Sequence, residues 1–306
     1  MKVALLAGGT GGTKLAHGFA MLEPSVELSV IANVADDLEL HGLHVSPDID
    51  ALLYTLAALI DAERGWGVAN DTYSAHAIFA RYGEPVWFTL GDADLATHVT
   101  RTRLLSEGRS LTDATATMAA ALGIGSRILP ATDGRCRTIV LTDDGPLEFQ
   151  EYFVRHRQDP DVRGVRLDGI EDARPTPAVL AAIGDADLLV IGPSNPIVSI
   201  GPILALEGVR EAILAVPRRV GLSPIIGGRA LKGPAARMLA SLGHEPSAVG
   251  VARIYADLLT HWVIDATDAE LAPRVRESGV EPVVLDTIMA ANEDRARLAG
   301  ELLAIG

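Results

Sequence analysis

The sequence predicts an α/β protein, a doubly wound Rossmann-like parallel sheet carrying a helical insertion. Short runs of nearly continuous apolar character alternate with amphipathic stretches of helical length. The first such run ends in a glycine-rich segment that enters a helix, the usual start of a doubly wound fold. One block, residues 50–125, breaks the alternation and reads as helices alone.

In chain order, Val3–Ala7, Leu28–Asn33, Thr138–Thr142, Leu188–Gly192, Ile213–Val216 and Trp262–Asp265 read as strands, with Pro282–Leu285 as a last candidate. Their lack of polar alternation suits strands covered on both faces. Thr13–Met21, Pro177–Ile183, Pro234–Leu242 and Asp268–Arg276 have helical spacing, several opening on Pro, Thr or Asp. Within the insertion, helices are expected near 50–63, 71–82, 92–106 and 110–122. The stretch Arg137–Leu167 alternates and holds a turn at Asp144-Gly145-Pro146, which suggests an antiparallel hairpin or added edge strands. The expected organisation is therefore a core made of residues 1–49 and 126–306, interrupted by the 50–125 insertion.

Composition narrows the partners. With 26 Lys and Arg against 40 Asp and Glu, the net charge of −14 makes nucleic acid an improbable partner. An apolar content of 48% supports a full core. The lone cysteine, Cys136, excludes an intrachain disulfide and a multi-thiolate metal site, and suits a reducing compartment. No apolar run reaches the roughly 18–20 residues of a membrane span. The apolar start stops at Ala7, in glycines and Lys14, unlike a signal peptide. A cytoplasmic protein is expected. Only three lysines occur, Lys2, Lys14 and Lys232, and two of them lie in glycine-rich loops.

Several segments carry chemistry. Gly8-Gly9-Thr10-Gly11-Gly12-Thr13-Lys14 follows the first strand; its free backbone N–H groups, a helix N-terminus and Lys14 suit a phosphate. It is neither a Walker A nor a G-x-G-x-x-G segment, and a tight strand-to-helix turn is the competing explanation. Asn33, at the end of the second strand, stands where a ribose or base is met. Asp36 and Asp37 follow it and read equally well as solvated acids. Asp48 and Asp50, two apart at a helix entrance, could share a hard cation, with one left as a base; helix capping explains them too. Thr89-Leu90-Gly91-Asp92, with Asp94, His98 and Arg101, opens another helix that a ligand could meet, although Asp92 also suits a cap. Ser194 and Asn195 after the Leu188 strand, and Arg229 and Lys232 after Ser223-Pro224, add two more anion-friendly loops at the same sheet edge. Three such loops together imply a diphosphate or nucleotide diester.

These residues, in this order, resemble the 2-phospho-L-lactate transferase family of deazaflavin coenzyme F-420 biosynthesis. The likeness runs through GGTGGTKL, ANVADDLELHGLHVSPDID, DAERGWGVANDTYSA, LGDADLATHVTR, PDVRGV, IGPSNPIVSIGPIL and SPIIGG, and so spans most of the chain. A related group, the gluconeogenesis-factor-like proteins thought to bind nucleotide sugars, shares the first loop; the Pro47–Asp50 segment and the helical insertion favour the transferase. The resemblance implies transfer of a phospholactyl or phosphoenolpyruvyl unit from a GDP-activated donor to the ribityl hydroxyl of 7,8-didemethyl-8-hydroxy-5-deazariboflavin. GMP leaves, Mg²⁺ assists, and a homodimer is suggested. It further implies acceptor contacts at Asp50 and at Thr89, where some members carry lysine.

Combining both readings, the expected catalytic and metal-binding residues are Asp50 and Asp48. The acceptor would meet Asp50, Tyr54, Thr89, Gly91, Asp92 and His98, with Trp66 a further stacking candidate. Nucleotide and phosphate would meet Gly9, Thr10, Gly11, Gly12, Lys14, Asn33, Ser194, Asn195 and Lys232. A nucleotide-sugar-binding regulator would need the loops without the acids.

Overall fold

A computed structural model describes residues 1–230 and 233–305. The chain opens β1 (Lys2–Ala7), α1 (Gly9–Ala20), β2 (Glu27–Ala32), then a small hairpin of β3 (Leu38–Leu40) and β4 (Leu43–Val45). Four helices follow: α2 (Pro47–Leu56), α3 (Ser74–Tyr82), α4 (Asp92–Ser106) and α5 (Leu111–Ala121). After β5 (Arg127–Pro130) come β6 (Arg137–Thr142), β7 (Gly145–Glu148) and β8 (Val162–Asp168). The remainder is α6 (Pro177–Gly184), β9 (Leu188–Ile191), α7 (Gly201–Ala205), α8 (Val209–Leu214), β10 (Arg219–Leu222), β11 (Ile225–Ile226), β12 (Arg229–Ala230), α9 (Ala235–Ser241), α10 (Ala248–Tyr255), β13 (His261–Asp265), α11 (Ala272–Glu277), β14 (Glu281–Leu285) and α12 (Asn292–Leu303).

Seven strands form one parallel sheet in the order β14-β13-β10-β9-β1-β2-β5, confirming the doubly wound expectation. Its strands are apolar on both faces because both are covered. Val3, Leu5 and Ala7 of β1 pack into a layer with α1, α2, α5 and α12, while Ala4 and Leu6 face the opposite layer with α6, α8 and α10. The order reverses between β1 and β9, so the crevice outside their C-terminal ends is the switch point at which such sheets bind ligands.

Two expected strands are corrected. Ile213–Val216 is not a strand: Ile213 lies in α8 and the strand is β10, a few residues later. A run of four apolar residues suits a buried helix end as well as a strand. Thr138–Thr142 is a strand, but it belongs to a separate antiparallel sheet ordered β7-β6-β8 and not to the parallel one. That sheet matches the hairpin chemistry read at Asp144-Gly145.

The helical block is not uniform. Ile49, Leu52 and Leu53 of α2, and Leu111, Ala114 and Met118 of α5, are buried in the same apolar layer as the central sheet. By contrast α3 buries none of its residues, and the β3–β4 hairpin forms a satellite cluster with Leu90.

Candidate active site

The first glycines lie within α1, not in a loop before it, since the helix begins at Gly9 with Gly8 as its N-cap. Their smallness is explained by close approach. A Cβ on Gly11 would stand 2.2 Å from the Pro193 carbonyl oxygen, and one on Gly12 would stand 2.8 Å from Ser194 Oγ. Glycine therefore lets the loop after β9 press against the N-terminus of α1, joining the two halves of the sheet at the switch point. Gly8 N–H donates to Ser194 Oγ (3.3 Å).

Gly9 N–H, the donor that a phosphate would use, donates instead to Asp48 Oδ1 (2.6 Å). Asn33 Nδ2 donates to the other oxygen of Asp48 (3.0 Å) and lies 3.3 Å from the Val198 carbonyl, while Asn33 Oδ1 accepts from Ala35 N–H. Three elements thus converge on one carboxylate. Burial pushes the Asp48 carboxyl up to about 6, against the Gly9 and Asn33 hydrogen bonds and assisted by the charges of Asp37 and Asp50. Asp36 is raised well above the usual range, by burial first and then by Asp48. Its Oδ1 is buried with no hydrogen-bond partner among the described residues.

Asp50 sits elsewhere. Both its oxygens meet the fully buried Arg101 of α4: Nη2 on Oδ1, and Nη1 on Oδ2 at 3.3 Å, with Ser46 N–H also on Oδ2. The two acids expected to share a cation therefore hold different partners. Around this pair runs a buried network. Asp37 accepts from Ser46 Oγ (2.6 Å) and contacts His44 Nε2 (2.9 Å), and Tyr54 O–H donates to Asp94 Oδ1 (2.5 Å). His98 lies between Asp50 and Asp94, at 3.6 Å and 3.3 Å. Burial opposes ionisation of Asp94, but His98, Tyr54 and Arg101 outweigh it and hold its carboxyl below the usual range. Burial and neighbouring carboxylates push the Tyr54 phenol far up. Tyr54 and His98 are thus buried parts of a network that ties α4 to α2 and the β3–β4 hairpin, and neither presents a ring to solvent.

The remaining expected residues divide. Asp92 accepts from the N–H groups of Ser74 and Ala75 and caps α3, while Asp71, which the sequence reading passed over, accepts from Ala93 and Asp94 N–H and caps α4. A Cβ on Gly91 would stand 2.0 Å from Asp71 Oδ2 and would push that carboxylate from its place at the start of α4. Thr89 is half-buried just before α4. Thr10 is half-buried in the first turn of α1. Lys14 Nζ donates to the Met289 carbonyl (2.8 Å). Asn195 Oδ1 accepts from Ile197 and Val198 N–H and opens the π-type turn Pro196–Ile200. Lys232 lies outside the described residues. Trp66 is exposed, with the Arg64 guanidinium 5.0 Å from its ring centre.

The family model for 2-phospho-L-lactate transferase CofD matches residues 3–302. The chain belongs to the 2-phospho-L-lactate transferase family. A phosphoenolpyruvate transferase of Streptomyces coelicolor is 42% identical, the match covering 100% of this chain and 98% of that protein. A 2-phospho-L-lactate transferase of Methanosarcina mazei is 39% identical over 96% of this chain and 97% of its own. A solved structure from Bacillus halodurans shares the fold at a TM-score of 0.63 and 18% identity, covering 99% of both chains. No described helix is long and apolar enough to cross a membrane.

Proposed function

We propose that this member transfers a phospholactyl or phosphoenolpyruvyl unit from a GDP-activated donor to the ribityl hydroxyl of a deazaflavin, releasing GMP. The observation that carries the reading is the convergence on Asp48: a carboxylate beside the N-terminal N–H of α1, at the sheet's switch point, with Asp37 and Asp50 close enough to disfavour its charge. A nucleotide-binding regulator has no need of buried acids there.

The same acids fit Mg²⁺. Asp36 and Asp48 are hard oxygen donors whose ionisation burial opposes, one oxygen of Asp36 is unpartnered, and Arg101 spends its charge on Asp50. Among the described residues no three His, Cys, Asp or Glu side chains form a ready-made cage. Mg²⁺ commonly takes one or two carboxylates and completes its shell with substrate phosphates. When bound, the cation would neutralise charge on the phosphoryl oxygens. Asp48 would hold it, Ser194 would orient the diphosphate, and Asn33 and Gly9 N–H would keep Asp48 turned toward it. Asp50, fixed by Arg101, would place the acceptor hydroxyl. The exposed Trp66 of the insertion would be a stacking surface for a flat tricyclic acceptor.

Incubation of the purified chain with Mg²⁺, the activated donor and the deazaflavin should yield the phosphodiester and GMP together. Absence of both products, with the chain folded and guanine nucleotide bound, would remove the transferase reading.

A further inference from the structure

Beside the acids a cleft of about 260 Å³ opens between the β3–β4 hairpin, the α4–α5 junction and the loop after β5. Arg109, Arg135 and Arg137 line it, with Asp37, His44 and Asp133. In this acidic chain many arginines are spent on carboxylates, as in Arg163–Asp143, Arg166–Asp168 and Arg274–Glu245. The three in the cleft are not: among the described residues none has a carboxylate oxygen within salt-bridge distance. Arg109 donates to Thr117 Oγ1 and Arg137 to the Cys136 carbonyl, so most of their donors are unused.

Three acids share the walls with the arginines, and none of the three is ion-paired to one of them. Asp37 is held by Ser46 and His44, and Asp133 accepts from Thr112 N–H and Oγ1, both at 2.8 Å. Glu39, also lining, is exposed to solvent. The cleft therefore presents guanidinium forks suited to a planar anion.

Its position connects it to the donor. The cleft wall begins at Val34, next to the Asn33 that holds Asp48, and includes Asp37, whose charge acts on Asp48. Arg135 lies in the connection after β5, which is two strands from β1 in the sheet, and Arg137 opens β6. Besides its diphosphate the proposed donor carries one further anionic group, the carboxylate of its three-carbon acid, and these arginines lie beside the residues that hold Asp48.

We propose that the cleft is an anion subsite for the carboxylate of the three-carbon acid carried by the donor, an inference that rests on the transferase reading above. The test uses Arg135→Gln and the double variant Arg135→Gln/Arg137→Gln, with pyruvate, inorganic phosphate and GDP as separate calorimetric probes. Pyruvate should bind the wild-type chain and weaken by about tenfold or more in the double variant, as loss of charge-assisted hydrogen bonds requires. GDP affinity should stay within about twofold, and KM for the activated donor should rise about tenfold or more, with a much smaller change in kcat. Unchanged pyruvate affinity or donor KM in the double variant would overturn the assignment. So would a cleft that takes inorganic phosphate and ignores pyruvate. If the wild-type chain bound pyruvate through these arginines yet transferred nothing, the carboxylate site would stand and the transferase reading would fall.

Discussion

The buried Asp50–Arg101 pair decides what a substitution there can report. Asn caps a helix nearly as well as Asp, so capping alone would leave Asp50→Asn stable. The structure predicts otherwise, because the neutral side chain strands a fully buried guanidinium, at a cost of about 3–5 kcal/mol. Denaturant unfolding should show that loss, and Asp50→Asn with Arg101→Met should recover part of it. Transfer activity should stay low in the double variant if Asp50 places the acceptor; full activity there would confine the pair to stability. Asp48 behaves differently. Its folded value of about 6 stands above the ordinary 3.8, so the folded chain binds this proton more tightly than the unfolded one. The stability it contributes is present below pH 4 and is lost as pH rises through about 6, and Asp36 acts with the same sign. Mg²⁺ bound by these acids would have to displace such protons. Its affinity should therefore climb up to about tenfold per pH unit below 6 and level above, with proton release visible as buffer-dependent heats in calorimetry. Affinity independent of pH from 5 to 7 would remove Asp48 as a ligand.

At the scale of elements, the contact of α1 with the loop after β9 depends on absent side chains. Gly11→Ala drives a methyl into the Pro193 carbonyl, a backbone atom, and should cost about 1–3 kcal/mol while weakening GDP binding. Gly300→Ala, in the interior of α12 with nothing within 4 Å of the added methyl, should instead stabilise by up to about 1 kcal/mol and leave binding untouched. Thermal unfolding with and without GDP separates the two. The same contact shows what sequence can reveal. Four glycines in five residues announce a crowded turn, but whether phosphate or a neighbouring loop does the crowding depends on Pro193, almost two hundred residues away. Of the parallel strands, β1, β2, β9, β13 and β14 were legible from their apolar runs, whereas β5, only four residues long, was not, and β10 carries Gly221 within it; Leu259 and Trp262 fill the space a side chain would need there. The Asp48 and Asp50 carboxylates were legible as a pair at a helix entrance. Their division between Gly9 and Arg101 was not, since it is set by partners 39 and 51 residues distant.

Across the whole molecule, the sheet divides at β1 and β9, and the groups assigned to the donor fall on both sides. Gly9, Asn33 and Asp48 belong to the half that contains β1, β2 and β5; Ser194 belongs to the half that contains β9, β10, β13 and β14. A nucleotide lying across the switch point must therefore restrain both halves at once, whereas one held by a single loop restrains only that loop. Binding to the folded chain alone adds RT ln(1 + [L]/Kd), about 2.7 kcal/mol at a hundred times Kd. Hydrogen exchange can locate where this appears. With GDP and Mg²⁺, amides of 8–14, 33–37 and 46–50 should slow together with those of 192–198, while β7 and β8, in the separate antiparallel sheet, should exchange as before. Protection confined to one half would place the nucleotide away from the switch point, and the roles assigned to Ser194 and Asp48 in holding one diphosphate could not both be kept.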